Sequence, residues 1–114
     1  HADRLWGDAA ANALWGNAGI DRLHGRAGND QLFGGTGADR FIFAKGDDLD
    51  RVRDFENDVD TIYFNGFAGV TRASQALALA NQVGADVVFD FGAGDKLTVL
   101  NTTLAALSND ISIF

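Results

Sequence analysis

Large apolar residues recur every nine positions through the first part of this chain, at Leu5, Leu14, Leu23, Leu32 and Phe41. An acid or amide stands two places ahead of each, at Asp3, Asn12, Asp21, Asp30 and Asp39. Gly occupies positions one and four of three consecutive blocks, Gly16–His24, Gly25–Phe33 and Gly34–Ile42. Such a block predicts a turn, because its glycines suit left-handed or closely packed backbone. A short strand such as Arg22-Leu23-His24 follows, with only its middle side chain facing inward. Turn, strand, turn, strand makes a coil of eighteen residues, with parallel strands in two sheets and turns stacked along two edges. Helix is the poorer reading. A period of nine drifts off one face of a helix with about 3.6 residues per turn, and each interior Gly would cost about 1 kcal/mol.

Beyond Phe43 the spacing lengthens but an Asp still precedes an inward aliphatic by two places, in Asp50-Arg-Val52 and Asp60-Thr-Ile62. Residues 65–71 read as a loop. Residues 72–82 are rich in helix formers and end before Gly84, which predicts a helix. Asp86–Phe91 and Lys96–Leu100 predict a hairpin around Gly92-Ala-Gly-Asp95. Thr102 or Thr103 caps a short helix through Leu107. No stretch has the composition of a linker. The predicted architecture is all-β: one domain over residues 1–114, a right-handed parallel β-roll (1–42) continuing into a C-terminal β cap (43–114) with one or two short helices.

Composition sharpens this picture at one point. The net charge is −7, and fifteen of the sixteen acids are Asp, with Glu56 the exception. A solvated helical surface favours Glu, whereas turns and hard-cation sites favour Asp. The charge excludes nucleic acid and invites cations. There is no Cys, hence no disulfide or thiolate site, and no apolar run approaches the roughly 20 residues of a membrane span. The chain starts at His1 without a signal-peptide pattern and reads as a piece of something longer.

Calcium takes six to eight hard oxygens, from carboxylates and backbone carbonyls. One Gly-rich turn with its closing Asp supplies about half of that shell, and the turn eighteen residues on, stacked above it, supplies the rest. The best expected site is therefore Asp21 with Asp39, flanked by Gly16, Gly19, Gly34 and Gly37. Next is Asp30 with the turn ending at Asp48 or Asp50, flanked by Gly25, Gly28 and Gly46. Asn12 with Asp30 and Asp3 with Asp21 are weaker, since Ala10 replaces the fourth-position Gly and Asn12 brings no charge. Asp58 with Asp60 would close a last site against Asp39.

These blocks resemble the hemolysin-type, or RTX, calcium-binding nonapeptide, Gly-Gly-x-Gly-x-Asp-x-U-x. The likeness is strong over residues 16–42 and looser over 2–15. Asp39-Arg-Phe-Ile-Phe43, Asp50-x-Val-x-Asp-Phe55 and Asp86-Val-Val-x-Asp-Phe-Gly-x-Gly-Asp95 are similar to segments that follow the array in secreted RTX enzymes. Asp110-Ile-Ser-Ile-Phe114 is similar to the tail of type I secretion signals. The resemblance implies a secreted, extracellular, non-catalytic domain that binds several Ca²⁺ ions and folds on export. It also implies that the domain stabilises an upstream domain of the same polypeptide and presents a signal to the type I secretion machinery.

Outward positions form two ladders: Arg4, Arg22 and Arg40 beside Trp6, His24 and Ile42, and Ala13 and Gln31 beside Trp15 and Phe33. The arginines read as a solvated face balancing nearby Asp. The alternative is a groove for an anionic polysaccharide or partner. Trp15 and Phe33 read as a second core under the 72–82 helix or the hairpin. His24 is a lone surface imidazole. No His-Glu-x-x-His, Gly-x-Ser-x-Gly or Cys-His arrangement is present, so catalysis is not expected.

Overall fold

The computed structural model describes residues 4–56, 59–67, 69–92, 94–108 and 110–113. The first strands are short and evenly spaced: β1 (Arg4–Trp6), β2 (Ala13–Trp15), β3 (Arg22–His24) and β4 (Gln31–Phe33). Then follow β5 (Arg40–Ala44), β6 (Leu49–Val52), β7 (Thr61–Asn65), α1 (Ala73–Ala78), β8 (Ala80–Val83), β9 (Asp86–Gly92), β10 (Asp95–Val99), α2 (Leu104–Leu107) and β11 (Ile111–Ile113). From β1 to β8 successive strands fall alternately into two sheets, and β9 and β10 stay in the sheet of β8; the orders are β1-β3-β5-β7-β11 and β2-β4-β6-β10-β9-β8. The coil of eighteen is explicit in the register, with Leu5 against Leu23 and Leu14 against Leu32 in parallel pairs.

Each three-residue strand places one side chain inward, and these stack into two columns. Leu5, Leu23, Phe41, Ile62 and Ile111 line one sheet. Leu14, Leu32, Val52, Val99 and Val87 line the other. β5 and β7 lengthen to five residues, so a second inward position appears at Phe43 and Phe64. Phe43, Phe64, Phe67, Phe89 and Phe91 then form a continuous aromatic cluster, with Phe67 and Phe91 stacked at 3.9 Å and Phe64 and Phe89 tilted at 4.9 Å. Burying one such ring contributes about 1.5–3 kcal/mol.

The hairpin forms as expected, β9 against β10, and β10 joins the roll by pairing in parallel with β6. Thr103 caps α2, its hydroxyl accepting the Ala106 N–H at 3.1 Å. The expected 72–82 helix is shorter. It ends at Ala78, and residues 80–83 form β8, an antiparallel edge strand on β9. Helix propensity loses there to ladder pairing and to Gln82. The amide of Gln82 donates to the carbonyls of Gly84, Asp86 and Thr102 while its oxygen accepts the Leu104 N–H. Trp15 and Phe33 are not under a helix or hairpin: they stack on each other at 3.7 Å and Trp15 is 56% exposed. The secretion-like tail is a strand, β11, laid in parallel on β7. Among the described residues no helix is long and apolar enough to cross a membrane.

Candidate metal centre

The roll places its turns one above another along two edges, and an Asp ladder runs through each. Along one edge the Asp21 N–H donates to Asp39 Oδ1 at 2.9 Å, and the Asp39 N–H to Asp60 Oδ1 at 2.8 Å. Along the other, the Asn12 N–H donates to Asp30 Oδ1 at 2.7 Å, and the Asp30 N–H to Asp50 Oδ1 at 3.1 Å. Each carboxylate thus uses one oxygen to hold the backbone of the coil before it. These Asp residues are buried, because each lies two positions ahead of a core side chain, Leu23, Leu32, Phe41, Val52 or Ile62, and so on the same face of the chain.

The second oxygen is the informative one. Oδ2 of Asp30, Asp39 and Asp50 is buried and accepts no hydrogen bond. An unsatisfied buried acceptor costs about 1–3 kcal/mol, and more when charged. Burial pushes Asp50 up to about 9, with the neighbouring Asp30 and Asp47 charges adding to the effect. Burial also raises Asp39 to about 7, helped by Asp60, Asp21 and Asp54, and raises Asp30. Stacked carboxylates without a counter-ion therefore hold protons that an unfolded chain would release.

The glycines are explained by the same geometry. A Cβ at Gly25 or Gly34 would overlap Oδ2 of Asp30 or Asp39, and one at Gly16 would lie 2.6 Å from Asp21 Oδ2. At block position four, Gly28 and Gly37 have φ of 93° and 102°, and a Cβ there would run into the carbonyl of Ala10 or Gly19 one coil earlier. Gly19 has φ of 115°.

At the cap end the ladders close on protein groups. Both oxygens of Asp60 are occupied, by the N–H groups of Asp39 and Glu56, each at 2.8 Å. Asp54 binds the N–H groups of Gly34 and Gly35 at 2.7 and 2.9 Å, in the place of a further glycine turn. Asp48, at φ 63°, accepts the Gly28 N–H at 2.8 Å, and Asp95 binds the Gly46 and Asp48 N–H groups, each at 3.1 Å. Of the two residues offered as partners for Asp30, Asp50 continues the ladder and Asp48 secures the turn. Asp3 and Asp58 lie outside the described residues. Sequence reasoning did not single out Asp54, Asp95 or Asp47. The Asp47 carboxylate meets His24 Nε2 at 2.8 Å and accepts the Ala44 N–H. Only Asp95 carried a signal, as the Asp closing a second Gly-rich turn.

The donor set suits a hard divalent cation: carboxylate oxygens without partners, no sulfur, and turn carbonyls packed against glycine. Among the described residues no three His or acidic side chains converge on one point. Two stacked carboxylates per level, with turn carbonyls making up the shell, is the arrangement these residues can offer.

Comparison with known proteins agrees. The family model of the RTX calcium-binding nonapeptide repeat (four copies) matches residues 2–23 and 15–50. No curated protein sequence matches the chain. Among solved structures, the extracellular lipase LipA from Serratia marcescens superposes with a TM-score of 0.71 at 23% identity, over 97% of this chain and 21% of the lipase. This chain thus spans about a fifth of that protein's length. The AlgE6R3 subunit of the Azotobacter vinelandii mannuronan C5-epimerase aligns at 25% identity over 97% of this chain and 77% of its own, but with a TM-score of only 0.37. Residues 2–50 are RTX calcium-binding nonapeptide repeats, and the chain they begin folds as a parallel β-roll of that type.

Proposed function

We propose that this chain is the calcium-dependent folding module of a secreted protein, non-catalytic in itself, that stabilises an upstream domain and carries a type I secretion signal in its last residues. The observation that carries the reading is the pair of ladders with buried, partnerless Oδ2 atoms at Asp30, Asp39 and Asp50. Calcium supplies the positive charge that stacked carboxylates need. The chain's own groups do the rest. Oδ1 of each Asp fixes the spacing of the coils, the glycines admit carboxylate and carbonyl to the same small volume, and the closed cap gives the array an end to build on. Where calcium is scarce, Asp rungs repel and the thin array lacks a core of its own, which suits passage across an envelope before folding outside the cell. The expected sites are Asp21 with Asp39 and Asp30 with Asp50. The parent polypeptide would be a protease, lipase or polysaccharide-modifying enzyme. Far-UV circular dichroism in excess chelator, followed by titration of Ca²⁺ to millimolar, tests this: a β spectrum should grow with calcium. A β spectrum indifferent to calcium sinks the proposal.

One observation favours a second reading, binding of an anionic polysaccharide. Arg4, Arg22 and Arg40 are held in register on β1, β3 and β5, and none is paired with a carboxylate among the described residues. Like charges directly opposite one another on neighbouring strands are unfavourable, and an anion lying along them would relieve that repulsion. Replacing all three by Ser should abolish retention on an anionic polysaccharide column; unchanged retention removes the idea.

A further inference from the structure

Asn65-Gly66 is the chain's only Asn-Gly pair, and it stands where β7 runs out. Asn65 is the last residue of β7, opposite Ala44 on β5, and its carbonyl accepts the Lys45 N–H at 3.0 Å. On the other side, β11 reaches only to Ile113, opposite Phe64. Asn65 and Gly66 are both exposed. Among the described residues, neither the Asn65 side chain nor the Gly66 N–H has a hydrogen-bond partner. Gly66 sits at φ 86°, and a Cβ built on it would come no closer than 3.5 Å to another residue, at Lys45 Cβ. The space around the pair is therefore open. Every other asparagine is followed by Ala, Asp, Gln or Thr, whose side chain crowds the next nitrogen. Two are also tied down. The Asn12 amide donates to Asp8 Oδ1 at 3.0 Å and to the Ala10 carbonyl at 2.7 Å, and Asn29 Oδ1 accepts the Leu49 N–H at 3.3 Å.

We infer that Asn65 is a modification site, where the folded chain deamidates spontaneously. The Gly66 nitrogen attacks Asn65 Cγ, forming an N–Cγ bond and closing a five-membered imide. The Cγ–Nδ2 bond breaks, and Nδ2 leaves as ammonia with the proton from the Gly66 N–H. Water then adds to one of the two imide carbonyls, placing hydroxyl on carbon and returning a proton to nitrogen as that C–N bond breaks. Breaking the bond to Cγ leaves aspartate; breaking the other leaves isoaspartate. Glycine suits the step because it lacks a Cβ and rotates freely through positive φ, and the end of a strand opens more readily than its middle. The two products act differently on the cap. Aspartate keeps the main chain and adds one negative charge. Isoaspartate carries the main chain through the former side chain, which inserts a methylene ahead of Gly66 and frees the former carbonyl as a carboxylate. That carbonyl is the acceptor for Lys45, and Phe67, two residues on, stacks on Phe91 at 3.9 Å. Isoaspartate thus loosens the edge of the aromatic cluster, at a place remote from the Asp ladders. The inference stands independently of calcium binding.

The test incubates the complete chain in mildly alkaline buffer, with parallel samples at saturating Ca²⁺ and in chelator. Trypsin releases residues 54–72 between Arg53 and Arg72, and fragmentation of that peptide in the mass spectrometer separates Asn65 from Asn57. At saturating Ca²⁺ the mass gain of an amide exchanged for a carboxyl should appear at residue 65 before it appears at any other asparagine. It should appear as two new species, one of them eluting with the same peptide from Asn65→Asp. Asn65→Gln keeps an amide but demands a larger ring, and should lose the gain at this position. Conversion at residue 65 no earlier than at the other asparagines overturns the proposal. So does conversion confined to the chelator sample, which would show that the folded strand end protects Asn65. The aged chain should also melt below Asn65→Asp; equal melting removes the consequence drawn for Phe67.

Discussion

The coils from Arg4 to Phe33 and the cap from Arg40 to Ile113 solve the same problem with different materials. Each strand of the first region buries one aliphatic side chain, and its turns are held by Asp ladders and glycine contacts. The second region widens its strands, adds a five-phenylalanine cluster and closes its own carboxylates on backbone N–H groups. A thin core leaves the array dependent on what neutralises its turns, whereas the cap carries its stability within its own packing. Perturbations of apolar volume should therefore act on the two regions differently from perturbations of charge.

The largest effect is expected in the cap. Phe64→Ala removes a fully buried ring and should cost about 3–5 kcal/mol. The loss, measured by denaturant melts, should be of similar size with calcium and with chelator. A loss confined to one condition would mean that cap and array are not separable in this way. Next comes Gly34→Ala, which drives a methyl into Asp39 Oδ2 and should cost about 1–3 kcal/mol. Most of that cost should appear in calcium, read as a rightward shift of the calcium midpoint. An equal cost in chelator would show that the Gly34 contact serves packing alone.

A third effect is set by pH. Asp50, Asp39 and Asp60 are raised from 3.8 to about 9, 7 and 6, in each case chiefly by burial. A raised folded-state value means that stability is fully present below the unfolded value and is lost as pH rises through the folded ones. The metal-free chain should melt at progressively lower temperature from pH 5 to pH 9. Calcium should reverse the trend, since it displaces those protons. Asp50→Asn should flatten the upper part of the metal-free curve; an unaltered curve would locate the titration elsewhere. Smallest of all, Trp15→Ala removes an exposed ring that among the described residues stacks only on Phe33 and should cost about 0.5–1.5 kcal/mol in either condition.

The array was legible because its physics is periodic. Leu5 to Phe41 at intervals of nine define the strands, and the parity of the turns follows from needing two stacked turns for one cation. The cap was legible only where local signals are strong, as in the Asp86–Val99 hairpin and the Thr103 cap. Residues 80–83 misled because helix propensity is a local property, and the β9 edge that captures them is distant information. Asp54 and Asp95 were passed over for a similar reason. Each closes a turn that lies 19 to 49 residues away in sequence, outside any repeat template. The pairing of His24 with Asp47 across 23 residues belongs to the same class.

The ladders have a direction, and direction implies an order of events. Asp39 completes the turn at Asp21, Asp60 the turn at Asp39, and Asp50 the turn at Asp30, always from later in the chain to earlier. A polypeptide emerging amino end first cannot finish these three turns until 18 to 21 further residues have followed each. The turn at Gly34, Gly35 and Asp39 waits for Asp54 and Asp60, and the turn at Gly46 and Asp48 waits for Asp95. Assembly therefore runs against the direction of emergence, like a zip whose slider is fitted last. Chains cut after Ala44 should keep the amides of Gly34, Gly35 and Asp39 open to hydrogen exchange at any calcium concentration, because the groups that shield them have been removed.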